Sequence, residues 1–353
     1  MNGKLKIQEI ARQTGLSIST VSRVLAGKAN TSAEARRKVL AYAQQNGILQ
    51  GISSGRLMLN NLMVFAPQRT DIIYDRVIQG IATALMQHEV RIRYCGLEER
   101  HSDGALFLEK MHEPYTEAAL LIGIDDEHIH TLAADLRKPC VLINCSDRQM
   151  RLDSVSPDHL LIGDYSANYL FQQGHSHILI LQSPHTMSLR LAGIRQAYAR
   201  HHRPFDDGRH LLTASGFDSE AAEQALTTYL TSISGRTPLP TAILADGDDM
   251  ALGAVKALNK LGLRVPDDVS VMSADGFNLA ERHDVPLTSV QVPRDELGYE
   301  AIQLLQRRML RADAPPCNLL LHGRLAVRAS VRHISPHQTA PAVSTHDHRR
   351  YDE

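Results

Sequence analysis

The 353-residue sequence predicts a small all-α helix-turn-helix head followed by an α/β body of two lobes, each a parallel sheet flanked by helices. Three observations predict it. Near the N-terminus, Leu16-Ser17-Ile18-Ser19-Thr20-Val21-Ser22-Arg23-Val24-Leu25 follows an amphipathic segment, Ile7 to Thr14, and a Gly15 that can turn the chain. Two short helices joined by a tight Gly-containing turn make a helix-turn-helix, whose second helix enters the DNA major groove. Charge is divided: residues 1–50 carry eight basic side chains against two acidic ones, a net +6, so a chain of net −1 leaves −7 elsewhere. A cationic head gains counterion release on DNA while an anionic body is repelled. Finally, short apolar strands alternate with amphipathic helices from Leu62 onward, which implies parallel sheets covered on both faces.

The head reads as three helices. Ile7, Ile10 and Ala11 form the apolar face of the first. Ser17 is a natural N-cap for the second, because its hydroxyl can accept from a first-turn amide. Val21, Val24 and Leu25 recur at helical spacing and face inward, which leaves Ser19, Thr20, Ser22 and Arg23 outward. The third helix follows Ser32, a second cap, runs through Val39, Leu40 and Ala43, and stops at Asn46-Gly47. The head thus spans 1–47. Residues 48–61 read as a hinge, weakly helical because Gly51 and Gly55 each cost about 1 kcal/mol against Ala.

In the body, strands are expected at Leu62–Phe65, Arg91–Cys95, Ala118–Ile122, Cys140–Asn144, Ile178–Leu181, Ala242–Ala245, Ser270–Ser273 and Thr288–Gln291. Helices are expected at Asp75–His88, Gly163–Gln173, Ser219–Ser232 and Met250–Leu261. About ten strands over such a length suit two sheets better than one. Ligands of open parallel sheets bind beyond the carboxyl ends of the strands. The tail, 335–353, is polar, His-rich and without apolar periodicity, so disorder is expected there.

Composition narrows the function. No apolar run approaches the roughly 18 residues of a membrane span, and no apolar signal region opens the chain, so a cytoplasmic protein is expected. Cys95, Cys140, Cys145 and Cys317 lack metal-ligand spacing and read as reduced core fillers. No metal site, cofactor or catalytic residue is expected. No nucleophile elbow, P-loop or H-E-x-x-H motif is present, and His175 and His177 near Asp164 read as structural.

The chain resembles the LacI/GalR family of transcription regulators from about Leu5 to Arg332. The head carries Ile7-x-x-Ile10-Ala11-x-x-x-Gly15-Leu16-Ser17-x-x-Thr20-Val21-Ser22-Arg23-Val24-Leu25. Further matches are Gly174-His175-x-x-Ile178, Arg190-Leu191-Ala192-Gly193, Pro240-Thr241-Ala242-Ile243, Met250-Ala251-Leu252-Gly253-Ala254, Gly262-Leu263-x-Val265-Pro266-x-Asp268-Val269-Ser270, Pro286-Leu287-Thr288-Ser289-Val290 and Glu296-Leu297-Gly298. The resemblance implies a homodimer with two heads on a pseudo-palindromic operator. It also implies a periplasmic-binding-protein-like body over 62–333 with an effector between its lobes. The N-lobe would take about 62–160 and 293–322, and the C-lobe 163–290 and 324–333.

By that resemblance, the base-reading positions fall on Ile18 and Ser19, with Arg23 one turn on and Ser17, Thr20 and Ser22 beside them. Arg can fork onto guanine O6 and N7, and Ile18 can offer only apolar contact. Leu57 matches the hinge leucine that wedges into the minor groove, although Ile48-Leu49-Gln50-Gly51 replaces the family's Tyr-x-Pro-Asn before it. Arg190 matches the effector-binding arginine, Asp275 the acid after Ser270–Ser273, and Asn144 the polar residue ending Cys140–Asn144. Gly247-Asp248 replaces the common Asn-Asp. In the absence of tryptophan, ring stacking falls to Phe65, Tyr74, Phe217 or Phe277. Arg190 and Asp275 could instead close on one another as an ion pair.

The expected function is a sequence-specific repressor whose operator affinity a sugar or sugar derivative controls. A nucleoside, sugar acid or amino compound is the alternative effector. A solute-binding protein without DNA function would explain the body but not the cationic head, and deletion of residues 1–60 separates the two.

Overall fold

The computed structural model describes residues 3–25, 31–46, 59–67, 72–86, 88–98, 101–136, 138–184, 188–235, 237–276 and 285–335. The chain divides into two compact units: Met1–Pro157 with Pro293–Leu321, and Asp158–Val292 with His322–Glu353. It therefore passes between them three times. No helix among the described residues is long and apolar enough to cross a membrane.

The head consists of α1 (Gly3–Thr14), α2 (Ile18–Leu25) and α3 (Ala33–Gln45). Gly15 supplies the left-handed turn between α1 and α2 at φ +68°, a conformation glycine adopts without steric penalty. The Thr20 N–H donates to Ser17 Oγ (3.1 Å) and the Ala35 N–H to Ser32 Oγ (3.2 Å), so both serines cap the helices that follow them. Ile10, Ala11, Val21, Val24, Leu25, Val39 and Ala43 form one buried cluster, against which Met309 and Leu310 also pack.

The rest of the first unit is built on a six-stranded parallel sheet. Its strands are β1 (Asn61–Pro67), β2 (Arg91–Leu97), β3 (Ala118–Ile122), β4 (Cys140–Ile143), β5 (Asp153–Pro157) and β11 (Asn318–Leu321), in the order β11-β5-β4-β3-β1-β2. Helices α4 (Ile72–Leu85), α5 (Gly104–His112), α6 (Glu127–Asp135) and α12 (Arg294–Leu310) complete it. Burial of β3 at every position follows from its central place, with a layer on each face. Strand β5 is equally buried despite the polar sequence Asp-Ser-Val-Ser-Pro. Its Asp153 accepts from Arg308 Nε (2.7 Å), Arg307 Nη1 (3.2 Å) and the Cys317 N–H (2.9 Å). Burial by itself would push that carboxyl up. The Arg308 hydrogen bond, the Cys317 amide and the Arg308 charge outweigh it and hold Asp153 below the ordinary carboxylate range.

The second unit repeats the plan. Its sheet runs β12-β10-β9-β8-β6-β7, from β6 (Ile178–Gln182), β7 (Leu211–Thr213), β8 (Ala242–Ala245), β9 (Ser270–Gly276), β10 (Thr288–Gln291) and β12 (Arg324–Ala326). All pairings are parallel except β10 with β12. Helices α7 (His159–Gln172), α8 (Ser188–Arg200), α9 (Asp207–His210), α10 (Ser219–Ile233) and α11 (Asp248–Lys260) flank it. Asp158 and Asp218 accept first-turn amides of α7 and α10, the expected role of an N-cap acid. Residues 327–334 then return to the start of β6. The Ile334 N–H donates to the Gln173 carbonyl (2.8 Å), and His175 Nε2 lies 3.2 Å from the Arg332 carbonyl. His175 is wholly buried, and burial lowers its pKa to about 4. The neutral ring therefore donates from Nε2.

Candidate functional site

On α2, helical spacing turns Val21, Val24 and Leu25 into the head's core. The opposite face is open: Ile18 is 52% exposed, and Ser17, Ser19, Ser22 and Arg23 are exposed beside a half-buried Thr20. The hydroxyls of Ser17, Ser19 and Thr20 cluster at the helix start, with Ser17 Oγ 2.9 Å from Ser19 Oγ and 2.7 Å from Thr20 Oγ1. Arg23 Nε donates to the Ser19 carbonyl one turn back (3.2 Å). That contact uses one of the guanidinium's five N–H donors and lays the side chain along the hydroxyl cluster. The result is an exposed helix start with one apolar side chain, four hydroxyls and a cation, a set able to meet both phosphates and base edges. Leu57 lies outside the described residues.

The second unit assembles another group of polar residues. Arg190 comes from α8, which crosses α7 so closely that a Cβ at Gly163 would collide with the Arg190 carbonyl and one at Gly193 with the Leu160 carbonyl. The two glycines thus bring the helix backbones together and fix where Arg190 starts. Arg190 is 6% exposed. Nη1 donates to Asp246 Oδ1 (2.8 Å) and to the Asp246 carbonyl (2.6 Å), and Nη2 lies 3.2 Å from Asp275 Oδ2. Asp246 directly follows β8 and Asp275 is the penultimate residue of β9, so two adjacent strands present acids to one arginine. Burial disfavours the arginine's charge, but the Asp275 and Asp246 carboxylates outweigh it and raise its pKa above the ordinary range. Ile180, Gln182, Leu191, Ile194, Leu244 and Ala274 line a depression beside Arg190 and Asp246. Asp248 is buried at the first position of α11. A Cβ at Gly247 would meet the Phe217 ring, so that ring covers the turn between β8 and α11.

The structure brings together Arg190 and Asp275 as the sequence suggests, and as an ion pair. Asp246 is the partner the sequence reading did not single out. It lies beside Asp248 and Asp249 in the sequence, and only the direction of the chain leaving β8 selects it. In the first unit, Asn144 directly follows β4 in the left-handed region (φ +61°), and its N–H donates to the Val155 carbonyl (2.9 Å). Half-buried Tyr74 lies over Gly123, just beyond β3, where an added Cβ would sit 2.8 Å from the tyrosine hydroxyl. Phe65 is a correction. It is fully buried in the core cluster, with its ring centroid 4.9 Å from that of Phe107. Residue 65 lies on a central strand whose two faces are both covered, which leaves no ring face for a ligand. Phe277 lies outside the described residues. The described residues hold no group of three or more His, Cys, Asp or Glu arranged for a metal ion.

Comparison with known proteins gives two family matches. Residues 6–47 match "Bacterial regulatory proteins, lacI family", and residues 167–331 match "Periplasmic binding protein-like domain". The HTH-type transcriptional repressor CytR of Escherichia coli (strain K12) is 27% identical over 333 residues, covering 92% of this chain and 96% of CytR. The lac repressor dimer bound to operator and the anti-inducer ONPF superposes with a TM-score of 0.68 at 22% identity, covering 92% of this chain and 98% of that one. The transcriptional regulator CelR–cellobiose complex superposes with a TM-score of 0.66, also at 22% identity, covering 92% and 99%.

Proposed function

The chain belongs to the lacI family of bacterial regulatory proteins, and from that premise we propose that its head reads an operator through α2 while a small molecule binds at Arg190. The protein is a DNA-binding transcriptional repressor that acts as a dimer. The observation that carries the reading is the pairing of an exposed hydroxyl-and-arginine face on a cationic head with a buried arginine held at the carboxyl ends of a parallel sheet.

Arg23, Ser22, Thr20, Ser19, Ile18 and Ser17 form the reading surface. Arg190, Asp275 and Asp248 form the effector site in the second unit. A sugar or sugar derivative fits this set best. Each of its hydroxyls can accept from a guanidinium and donate to a carboxylate at once, and the neighbouring CelR structure holds cellobiose. The effector regulates through unequal affinity for the operator-binding and non-binding states.

Random-site selection with the full-length protein, followed by gel shifts on the selected sequence across a panel of sugars and nucleosides, tests the proposal. A sequence-specific shift weakened or strengthened by a panel member is expected. No specific shift under any condition would end it.

A further inference from the structure

Resting on the assignment of Arg190 to the effector site, we propose that Asp246 sets the charge class of the effector. It admits uncharged, hydroxyl-rich ligands and excludes phosphorylated or carboxylated ones. A guanidinium recognises phosphate or carboxylate through paired N–H donors in a fork. At Arg190 both terminal nitrogens are engaged. Asp246 takes Nη1 twice, through its side chain at 2.8 Å and its own carbonyl at 2.6 Å, and Asp275 takes Nη2 at 3.2 Å. Nε is the buried guanidinium nitrogen left without a hydrogen-bond partner among the described residues. An anion forking onto Nη1 and Nη2 would have to displace a carboxylate that is already bonded.

Charge points the same way. Arg190, Asp246 and Asp275 sum to −1, and buried Asp248, two residues beyond Asp246, takes the group to −2. The N-terminus of α11 offsets part of this, on the order of half a unit charge. In a water-poor site such an excess repels an anion far more strongly than it would in bulk solvent. A hydroxyl meets no such barrier. Gln182 and the apolar Ile180, Leu191, Ile194 and Leu244 add no charge to the adjoining depression. Asp246 rather than Asp275 is the selector because it holds Arg190 through two acceptors. Its main-chain contact persists when the side chain is shortened, so D246A keeps the arginine in place while freeing an Nη1 donor.

The test uses the full-length protein as wild type, D246A, D246N and R190A. Binding is followed by calorimetry and thermal shift with ribose, cellobiose and cytidine, with ribose 5-phosphate and cytidine monophosphate, and with inorganic phosphate. Wild type is expected to favour the uncharged member of each pair. D246A and D246N are expected to gain about tenfold or more in affinity for a phosphorylated member or for inorganic phosphate. Tighter binding of phosphorylated ligands by wild type, or no gain in either folded variant while R190A loses ligand binding, overturns the selector role alone. An R190A variant that binds uncharged ligands as wild type does removes Arg190 from the site and overturns the selector with it.

Discussion

Gly163 of α7 lies against the main-chain carbonyl of Arg190 on α8, with no space for a methyl group between them. Arg190 is therefore placed by a residue 27 positions earlier that carries no side chain. G163A brings two opposed effects. Alanine favours a helix over glycine by about 1 kcal/mol, but the collision is with backbone, which cannot rotate aside, and overpacking costs about 1–3 kcal/mol. The expected outcome is a net loss of stability together with weaker effector binding. Urea unfolding and ligand titration of the same variant measure both; a more stable protein with unchanged ligand affinity would contradict the placement.

Arg23 sits on the open face of α2 beside Ser19. If it forks onto a guanine, R23A relaxes preference at one operator position by about 1–3 kcal/mol. Binding to a set of single-position operator variants decides this. A uniform loss over all sequences, with a shallower salt dependence, reassigns Arg23 to phosphate.

Acid lowers the stability of the second unit through His175. Burial lowers its folded pKa from 6.5 to about 4, so the unfolded chain binds the proton more readily. The resulting stability is complete above pH 6.5 and is lost as pH falls towards 4, to a total of about 3 kcal/mol. His177 and His210 also have pKa values lowered by burial, so the informative quantity is a difference. H175Q, compared with wild type by urea unfolding at pH 7 and pH 4.5, is expected to show a smaller drop. Equal drops would remove His175 as a source.

Asp153 holds two arginines of α12 and the Cys317 amide at the buried strand β5. D153A leaves the guanidiniums without their carboxylate. Breaking a buried pair typically costs about 3–5 kcal/mol. Arg307 keeps the Pro315 carbonyl, and Arg308 keeps those of Ala312 and Ala314, which places the expected loss near the low end, about 3 kcal/mol. Thermal unfolding measures it, and a loss below about 0.5 kcal/mol, as at an ordinary surface site, would refute the role.

Apolar strands announce themselves in this sequence. Leu62–Phe65, Ala118–Ile122, Ile178–Leu181 and Ala242–Ala245 all lie within strands of the fold. Strand β5 escapes such a reading because its burial rests on charge pairing with a helix some 150 residues later, which no local pattern encodes. Strands β7, β11 and β12 are short, lie at sheet edges and hold no fully buried residue, so their sequences carry little apolar signal. At the site, the Arg190 motif and the acid near the end of β9 could be read from the sequence. The identity of the arginine's second partner could not, since Asp246, Asp248 and Asp249 differ in the direction of their side chains and not in chemistry. Phe65 misleads for a related reason. An aromatic near a strand's carboxyl end serves a ligand or a core equally well until the layer over it is known.

The three passages of the chain between its units govern how the protein is made. Neither unit is a continuous stretch: the first needs residues 293–321, and the second residues beyond 322. On the ribosome, where segments emerge from the N-terminus onward, the first sheet lacks α12 and β11 until residues 294–321 have been synthesised. A nascent chain stalled before that point holds two unfinished modules and a head that lacks the Met309 and Leu310 packed against its core. Truncation late in the gene should therefore yield aggregation-prone protein rather than a smaller working regulator.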